Sequence, residues 1–149
     1  MKAFVLIGPP GSGKTTYSAK LSTEQNAVIL SGDSVREELY GDIAIQGDWG
    51  EIWERLEELV AENVGRVLIF DGTHCRVDYR KETMTLLQSY GYTEIEGIVL
   101  RTPLEVCLRQ NSQRSRKVPE HVIRQMHSDL QNSLKNIDTE DFDSINYVL

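Results

Sequence analysis

A glycine-rich segment near the N-terminus has the pattern of a phosphate-binding loop. Residues 8–15 read Gly-Pro-Pro-Gly-Ser-Gly-Lys-Thr and match G-x-x-x-x-G-K-[ST]. Glycines let several backbone N–H groups face one point, at the start of a helix whose dipole favours anions. Lys14 would reach the β- and γ-phosphates of a nucleotide, and the Thr15 hydroxyl can ligate Mg²⁺. The spacing therefore predicts a nucleoside-triphosphate site, with an ordinary glycine-rich turn between strand and helix as the alternative.

A carboxylate, Asp71, follows the continuous apolar run of residues 67–70, which is typical of a strand buried on both faces. Ligands of parallel sheets bind at the carboxyl ends of the strands, so we expect Asp71 to lie on the same edge as Gly8. There Asp71 could hold a metal-bound water or orient a nearby arginine. The alternative is that it caps the next turn, which the following Gly72-Thr73 would suit.

A second carboxylate, Asp33, follows a short apolar run at residues 27–30 and is expected on the same edge. Arg36 is one helical turn further along and on the same face. A carboxylate beside a γ-phosphate can accept the proton of an attacking hydroxyl, and an arginine can orient it or bind substrate phosphate. Aspartate is also a common helix cap. The spacing of Ser34 and Glu37 predicts a capping box and a helix that begins near residue 33 or 34.

A dense basic stretch lies between Glu105 and Glu120, where no acidic residue occurs. The acidic residues crowd elsewhere, into residues 51–62 and 138–143. Arginines in a mobile segment would close over the nucleotide and stabilise charge on the transferring phosphoryl group. A solvated basic helix face is the alternative. The basic residues of this stretch are Arg109, Arg114, Arg116 and Lys117.

The other side chains that could do chemistry give weaker signals. The histidines lack metal-ligand spacing, and Cys75 beside His74 is expected to be incidental rather than a nucleophile. Trp49 and Trp53 lie one helical turn apart and are predicted to be core residues.

These residues must be positioned by a single domain, because 149 residues leave no room for a second. Hydrophobic residues at 40% and charged residues at 26% are ordinary for a soluble globular protein. The longest apolar run, residues 3–7, is too short for a membrane span or a signal peptide. Two cysteines make no disulfide framework, so we expect a cytoplasmic protein with reduced thiols and no membrane contact. The net charge of −7 argues against general electrostatic coating of nucleic acid.

Strand-like apolar runs alternate with helical patterns along the chain. This alternation predicts an α/β fold, a three-layer α/β/α sandwich around a central parallel sheet of about five strands, formed by residues 1–149 as one domain. A loop is predicted at residues 41–50, where Asp48 and Glu51 can cap the next helix. Strands are predicted at about 2–7, 27–30, 67–70, 95–100 and 145–149, and helices at about 13–21, from 33 or 34, from 49, at 77–90, from 103 and at 119–136.

Taken together, these residues resemble small P-loop kinases related to the 5′-kinase domain of phage polynucleotide kinase, a group that also includes zeta-toxin-like enzymes. The resemblance covers most of the chain and implies a P-loop NTPase fold with the P-loop strand central and the strand of Asp71 beside it. The fourth of its blocks is similar to the polynucleotide kinase lid and is the most specific. The four blocks are residues 8–16, Asp33-Ser34-Val35-Arg36, Phe70-Asp71-Gly72-Thr73-His74 with Arg80 downstream, and residues 109–119.

The resemblance also implies roles for particular residues. Asp33 would be the general base, with Lys14 and Arg114 as catalytic partners, and residues 109–118 would form a mobile lid. Mg²⁺ would lie on Thr15 and, through a water, on Asp71. The residues expected to bind ATP or a similar nucleotide are Gly8, Gly11, Ser12, Gly13, Lys14, Thr15, Thr16, Arg114 and Arg116, and those expected on the acceptor side are Arg36, Asp71, Thr73 and Arg80.

The sequence departs from the resemblance mainly on the acceptor side. Gln110 stands where the polynucleotide kinase lid has an arginine, the lid is shorter before Val118, and His74 replaces asparagine. The expected function is transfer of the γ-phosphate of ATP to a hydroxyl, with the 5′-OH end of a polynucleotide as the leading acceptor. A nucleoside or sugar kinase is one alternative, and an ATP-binding switch without an acceptor is another. The acceptor is expected between Asp33 and the loop at 41–50, on a side where the candidate cations are Arg36, Arg76, Arg80 and Lys81.

Overall fold

In the computed structural model, which describes residues 1–43 and 45–148, five strands form one all-parallel sheet. The strands lie in the order β2-β3-β1-β4-β5, and because all neighbours are parallel, each of the four connections crosses over the sheet. The predicted arrangement is confirmed, because β1 is central and pairs with β3 on one side and β4 on the other. The strands are β1 (Lys2–Ile7), β2 (Val28–Ser31), β3 (Leu68–Asp71), β4 (Glu94–Leu100) and β5 (Ser144–Val148).

Helices fill the connections between the strands. The helices are α1 (Lys14–Gln25), α2 (Gly32–Tyr40), α3 (Trp49–Glu62), α4 (Val77–Ser89), α5 (Leu104–Ser112) and α6 (Glu120–Ser133), followed by a 3₁₀ helix at Leu134–Thr139.

Strands β1 and β3 are apolar on both faces because helices cover both sides of the sheet. On one face, Leu21 of α1 packs with Phe4, Leu6 and Ile69 of the strands. On the other face, side chains of α3, α4 and α6 bury the alternate strand residues, so that the sheet is the middle layer of three. The predicted α/β fold with helices on both sides of a parallel sheet is therefore confirmed.

The strand register brings the predicted site residues to one edge. Asp71 at the end of β3 is aligned with Leu6 of β1 and with Ser31 of β2. The P-loop leaves β1 at Gly8, and α2 with Asp33 begins just after Ser31. The three segments therefore start from neighbouring strand ends, as the rule for parallel sheets predicts.

Three helix boundaries differ from the sequence-based expectation. Helix α1 continues to Gln25, four residues beyond the predicted end at about 21. Helix α2 begins at Gly32, and the hydroxyl of Ser31 accepts a hydrogen bond from Ser34 N, so the cap is Ser31 and not Ser34. Helix α6 ends at Ser133, where the chain tightens into the 3₁₀ helix, so the predicted helix at 119–136 is too long. The predicted cap at Asp48 is confirmed, since its carboxylate accepts a hydrogen bond from Glu51 N.

Candidate active site

The loop between β1 and α1 has the backbone that a phosphate-binding loop requires. Gly11 and Gly13 have φ values of +83° and +98°, a region that favours glycine. A Cβ on Gly11 would lie 2.2 Å from the backbone carbonyl oxygen of Cys107, so the loop packs tightly against α5. Among the described residues, the hydroxyl of Ser12 is the buried side-chain polar atom that has no hydrogen-bond partner. A buried hydroxyl without a partner in this loop fits a polar ligand such as a phosphate.

Lys14 lies folded onto its own loop. Its ammonium group donates hydrogen bonds to the carbonyl oxygens of Gly8 and Pro9, each at 2.9 Å. Burial lowers the pKa of Lys14, and the nearby Asp71 carboxylate partly opposes this effect. Thr15 and Thr16 lie exposed on the first turn of α1, where a nucleotide would meet them.

Asp71 lies beside the first turn of α1 and does not cap the next helix, which begins only at Val77. The Ser18 hydroxyl lies 3.3 Å from Oδ2 of Asp71 and 3.0 Å from the carbonyl oxygen of Thr15, so it links the two predicted metal-site residues. Burial raises the pKa of Asp71, and Lys14 opposes the rise.

A Mg²⁺ site at this place fits the donor chemistry. A hydroxyl from Thr15 and a carboxylate from Asp71 are hard oxygen ligands, which Mg²⁺ prefers. Within residues 1–43 and 45–148, no group of three or more His, Cys, Asp or Glu side chains could hold a metal alone. Phosphate oxygens and waters would therefore complete the coordination.

Asp33 is at the centre of an arginine cluster formed by α2 and the lid. Its Oδ1 accepts a hydrogen bond from Arg36 at 3.2 Å, and its Oδ2 accepts one from Arg114 at 3.3 Å. The guanidinium of Arg116 lies 3.8 Å from Oδ1. Because Ser31 caps α2, the Asp33 carboxylate is free for these contacts, and the structure brings it together with both predicted lid arginines.

The lid is a loop that two side chains hold in place. Asn111 at the end of α5 makes a double hydrogen bond with the backbone of Val118, at 2.8 and 3.0 Å, and so closes the loop between them. Arg116 donates to Oε1 of Gln46 at 2.6 Å, and the backbone carbonyl of Gln46 accepts from Arg36 at 3.1 Å. Sequence reasoning missed Gln46, because no pattern marks a glutamine in a loop as a partner of two arginines.

Part of the segment at 109–118 that is predicted to form the lid is helical, because α5 ends at Ser112. The first residues of that segment belong to α5, where Arg109 is exposed, and Lys117 is exposed as well.

Arg80 does not lie on the acceptor side, and the expectation that it binds the acceptor is withdrawn. Its guanidinium is fully buried and forms a two-pronged ion pair with Glu140, both contacts at 2.8 Å. It also donates to the carbonyl oxygen of His74 and to the Ser133 hydroxyl. Arg80 therefore ties α4 to the end of α6 and has no surface to offer a ligand.

Thr73, the remaining acceptor-side residue, follows Asp71 closely. Its backbone carbonyl accepts a hydrogen bond from Gly8 N at 2.8 Å, so it supports the start of the P-loop. Thr73 also lines a cavity of about 490 Å³ with Cys75, Tyr79 and residues of α6. Cys75 and Cys107 are free and buried, and burial raises the pKa of Cys75 to about 12, so neither thiol is a nucleophile here.

A glycine-rich loop with its lysine, two carboxylates on neighbouring strand ends and an arginine lid define the site of a P-loop kinase. The profile of the AAA domain family AAA_33 matches residues 4–132. The chain belongs to this family of P-loop kinase domains.

Known relatives and structures are similar to this chain over most of its length. The L-seryl-tRNA(Sec) kinase of Methanococcus maripaludis is 29% identical over 134 residues, which are 83% of this chain and 50% of that protein. A chain in the Pnkp1/Rnl/Hen1 RNA repair complex superposes with a TM-score of 0.74 at 21% identity, over 91% of this chain and 45% of that one. A chain of the PezAT toxin–antitoxin system of Streptococcus pneumoniae gives 0.72 at 24% identity, over 97% and 66%.

The chain spans about half the length of the curated relative. No helix in the described part of the chain is both long and apolar enough to pass through a bilayer.

Proposed function

We propose that this domain transfers the γ-phosphate of ATP to a hydroxyl group, and that the preferred acceptor is the 5′-OH end of a short polynucleotide. The observation that carries the proposal is the Asp33 carboxylate, which lies within 3.8 Å of three arginine side chains at the edge where the P-loop begins. The relative named L-seryl-tRNA(Sec) kinase supports a hydroxyl acceptor carried by RNA.

The chemistry assigns one role to each side chain. Asp33 accepts the proton of the acceptor hydroxyl while the hydroxyl oxygen forms its bond to the γ-phosphorus. The bond from phosphorus to the oxygen that bridges to the β-phosphate breaks, and ADP leaves with the electron pair. Lys14 and Arg114 stabilise the negative charge that spreads over the phosphoryl oxygens. When bound, Mg²⁺ would neutralise phosphate charge, held by Thr15 and, through a water, by Asp71.

The lid contacts must change when the nucleotide binds. Arg114 and Arg116 now rest on Asp33, and a carboxylate that is held in this way is a poor proton acceptor. The γ-phosphate carries more charge than Asp33 and competes for the same guanidinium groups. ATP would therefore draw the lid arginines to the phosphate and leave the carboxylate free for the acceptor.

The charges around the cleft favour a short acceptor. Of the cations expected on this side, Arg80 is buried in its ion pair and Arg76 is paired with Asp78 at 3.1 Å. Lys81 is exposed on α4, Arg36 at the cleft donates to the carbonyl oxygen of Gln46, and helix α3 nearby is acidic. Each phosphate contact on a single strand costs about 0.7 log unit of affinity per log unit of salt. For an oligonucleotide we expect the salt dependence of affinity that corresponds to about one phosphate contact. A salt dependence that corresponds to several contacts would contradict this description of the surface.

A nucleoside or other small-molecule kinase is the second candidate, and the cavity beside Thr73 favours it. Its volume of about 490 Å³ lies in the range of small-molecule sites. Cys75, Tyr79 and Met126 line this cavity and would suit a compact acceptor more than a chain of phosphates.

Transfer of label from γ-labelled ATP tests the proposal. The acceptor panel contains 5′-OH RNA, 5′-OH DNA, nucleosides and sugars, and the control is the Asp33→Asn variant. We expect label on the 5′-OH oligonucleotides, a loss of roughly 10²- to 10⁴-fold in the variant, and nearly unchanged ATP binding. Label on an uncharged nucleoside or sugar alone would move the assignment to the second candidate. Label found only as free phosphate would leave an ATP-driven switch without an acceptor.

A further inference from the structure

Trp49, predicted to be a core residue, lies at the surface beside the proposed acceptor cleft. Its side chain is 44% exposed at the first turn of α3. A large aromatic ring that remains exposed at the rim of a cleft is available to a ligand. We infer that Trp49 is an acceptor-binding residue whose ring stacks on a planar ring of the acceptor, such as a nucleobase.

The ring of Trp49 is held from behind and is therefore a firm platform. The edge of Tyr79 meets it at a centroid distance of 5.6 Å and an angle of 87°. Trp53 lies 6.2 Å away and itself packs on Phe70 of β3. Tyr79 in turn stacks on the buried ring of His74 at 4.1 Å. Because these rings connect Trp49 to the core, little side-chain entropy remains to be lost when a ligand stacks on it.

Gly32 packs closely against both Trp49 and the acceptor-side arginine. A Cβ at Gly32 would lie 3.1 Å from Nη1 of Arg36 and 3.9 Å from the Trp49 ring. Any side chain at this position would therefore contact both groups. Gly32 directly precedes Asp33, the proposed base, so the Trp49 ring lies beside the segment that carries the carboxylate, and an acceptor ring stacked on Trp49 would have its hydroxyl close to Asp33.

This arrangement selects an acceptor by its ring. Stacking of a base on an aromatic side chain tolerates any sequence and does not need a row of phosphate contacts. It therefore suits a surface with few free cations and an acidic helix. An oligonucleotide end and a free nucleoside share this chemistry, whereas a sugar or sugar acid lacks the ring. The inference rests on the proposed function and narrows its acceptor to molecules that carry a nucleobase.

Steady-state kinetics with a 5′-OH dinucleotide test the role of Trp49. For Trp49→Leu we expect KM for the dinucleotide to rise roughly 5- to 150-fold, with KM for ATP unchanged and most of the affinity restored in Trp49→Phe. Gly32→Ala should raise the same KM, because its methyl group would press on the Arg36 guanidinium and contact the Trp49 ring. The matched control is Tyr90→Leu, which removes another exposed aromatic ring just before β4, at the opposite edge of the sheet. A dinucleotide with an abasic 5′ residue should be a poor acceptor for the wild type, and a free nucleoside should lose as much as the dinucleotide in Trp49→Leu.

A binding measurement separates failure of this inference from failure of the proposed function. Trp49 and Trp53 are the two tryptophans of the chain, so Trp53→Phe leaves Trp49 as the sole indole fluorophore. We expect a 5′-OH dinucleotide without ATP to quench this fluorescence, and its abasic analogue not to do so. Quenching without any phosphoryl transfer would support the stacking site and contradict the kinase proposal. Unchanged dinucleotide KM in Trp49→Leu, or no quenching, would overturn the stacking site even if the dinucleotide is phosphorylated.

Discussion

The stability of this protein should depend on pH through His74, a fully buried imidazole below the P-loop. Its Nδ1 lies 2.7 Å from the carbonyl oxygen of Leu6, which can only accept, so Nδ1 carries the proton. Its Nε2 lies 3.0 Å from the Thr83 hydroxyl and is the acceptor in the neutral ring. Burial lowers the pKa of His74 from 6.5 to about 4.

The sign and size of the effect follow from these two pKa values. In the unfolded chain His74 takes up a proton as the pH falls through 6.5, whereas the folded protein keeps the ring neutral down to about 4. The unfolded state therefore binds more protons in this window, and stability is lost as the pH falls through it. Between pH 7.5 and pH 5.5 the loss amounts to about 1 kcal/mol.

Urea unfolding at pH 7.5, 6.5 and 5.5, all above the isoelectric point of about 5.0, measures this loss against the His74→Asn variant. Asparagine tolerates the left-handed backbone at this position, where φ is +47°, and it does not titrate in this range. The variant should be less stable at pH 7.5, because it loses the ring contacts with Tyr79, and the gap should narrow by about 1 kcal/mol at pH 5.5. Parallel stability curves for the two proteins would refute the reasoning.

Three further substitutions test other parts of the site. Lys14→Ala should abolish turnover with a normal melting temperature, because the ammonium group bonds only to the carbonyl oxygens of its own loop. Full activity of this variant would contradict the nucleotide site. Because burial raises the pKa of Asp71, its charged form is less favourable in the folded protein than in the unfolded chain, so Asp71→Asn should melt no lower than wild type while its rate needs more Mg²⁺. A clearly lower melting temperature of Asp71→Asn would contradict the upward direction of the Asp71 pKa shift. Arg80→Ala should lose about 3–5 kcal/mol of unfolding free energy, since Glu140 is left buried without its partner, and KM for the acceptor should stay unchanged. A raised acceptor KM with normal stability would return Arg80 to the acceptor site.

The nucleotide side of the site could be predicted because its chemistry is local in sequence. Residues 8–15 carry the loop, the lysine and the hydroxyl that is proposed to bind Mg²⁺ in one segment, and the strand before it and the helix after it are both required by the motif. Asp71 could be placed on the same edge because a parallel sheet aligns the ends of its strands. Both features could be predicted from residues that are adjacent in the sequence and from the parallel direction of the strands.

The acceptor side could not be predicted in the same way, because its contacts join distant segments. Arg80 finds its partner in Glu140, 60 positions later, and nothing in the spacing marks that pair. Periodicity indicates that Trp49 and Trp53 share a helix face, but it does not show how much of that face is buried by the rest of the protein. Trp53 is half-buried against the core, whereas Trp49, one turn nearer to the start of the helix, is exposed.

The distribution of charge explains how an acidic chain can hold a polyanionic substrate. The net charge is −7, yet around Asp33 one carboxylate faces three arginines within 4 Å among the described residues. Three guanidinium groups around one carboxylate carry more positive charge than that carboxylate neutralises. Burial, reinforced by the nearby Arg36, lowers the pKa of Arg116. A γ-phosphate would supply the missing negative charge at the place where Arg114 and Arg116 already point. Under the proposed function, the carboxylate that holds the arginines in position without a ligand would become the proton acceptor once the phosphate binds them.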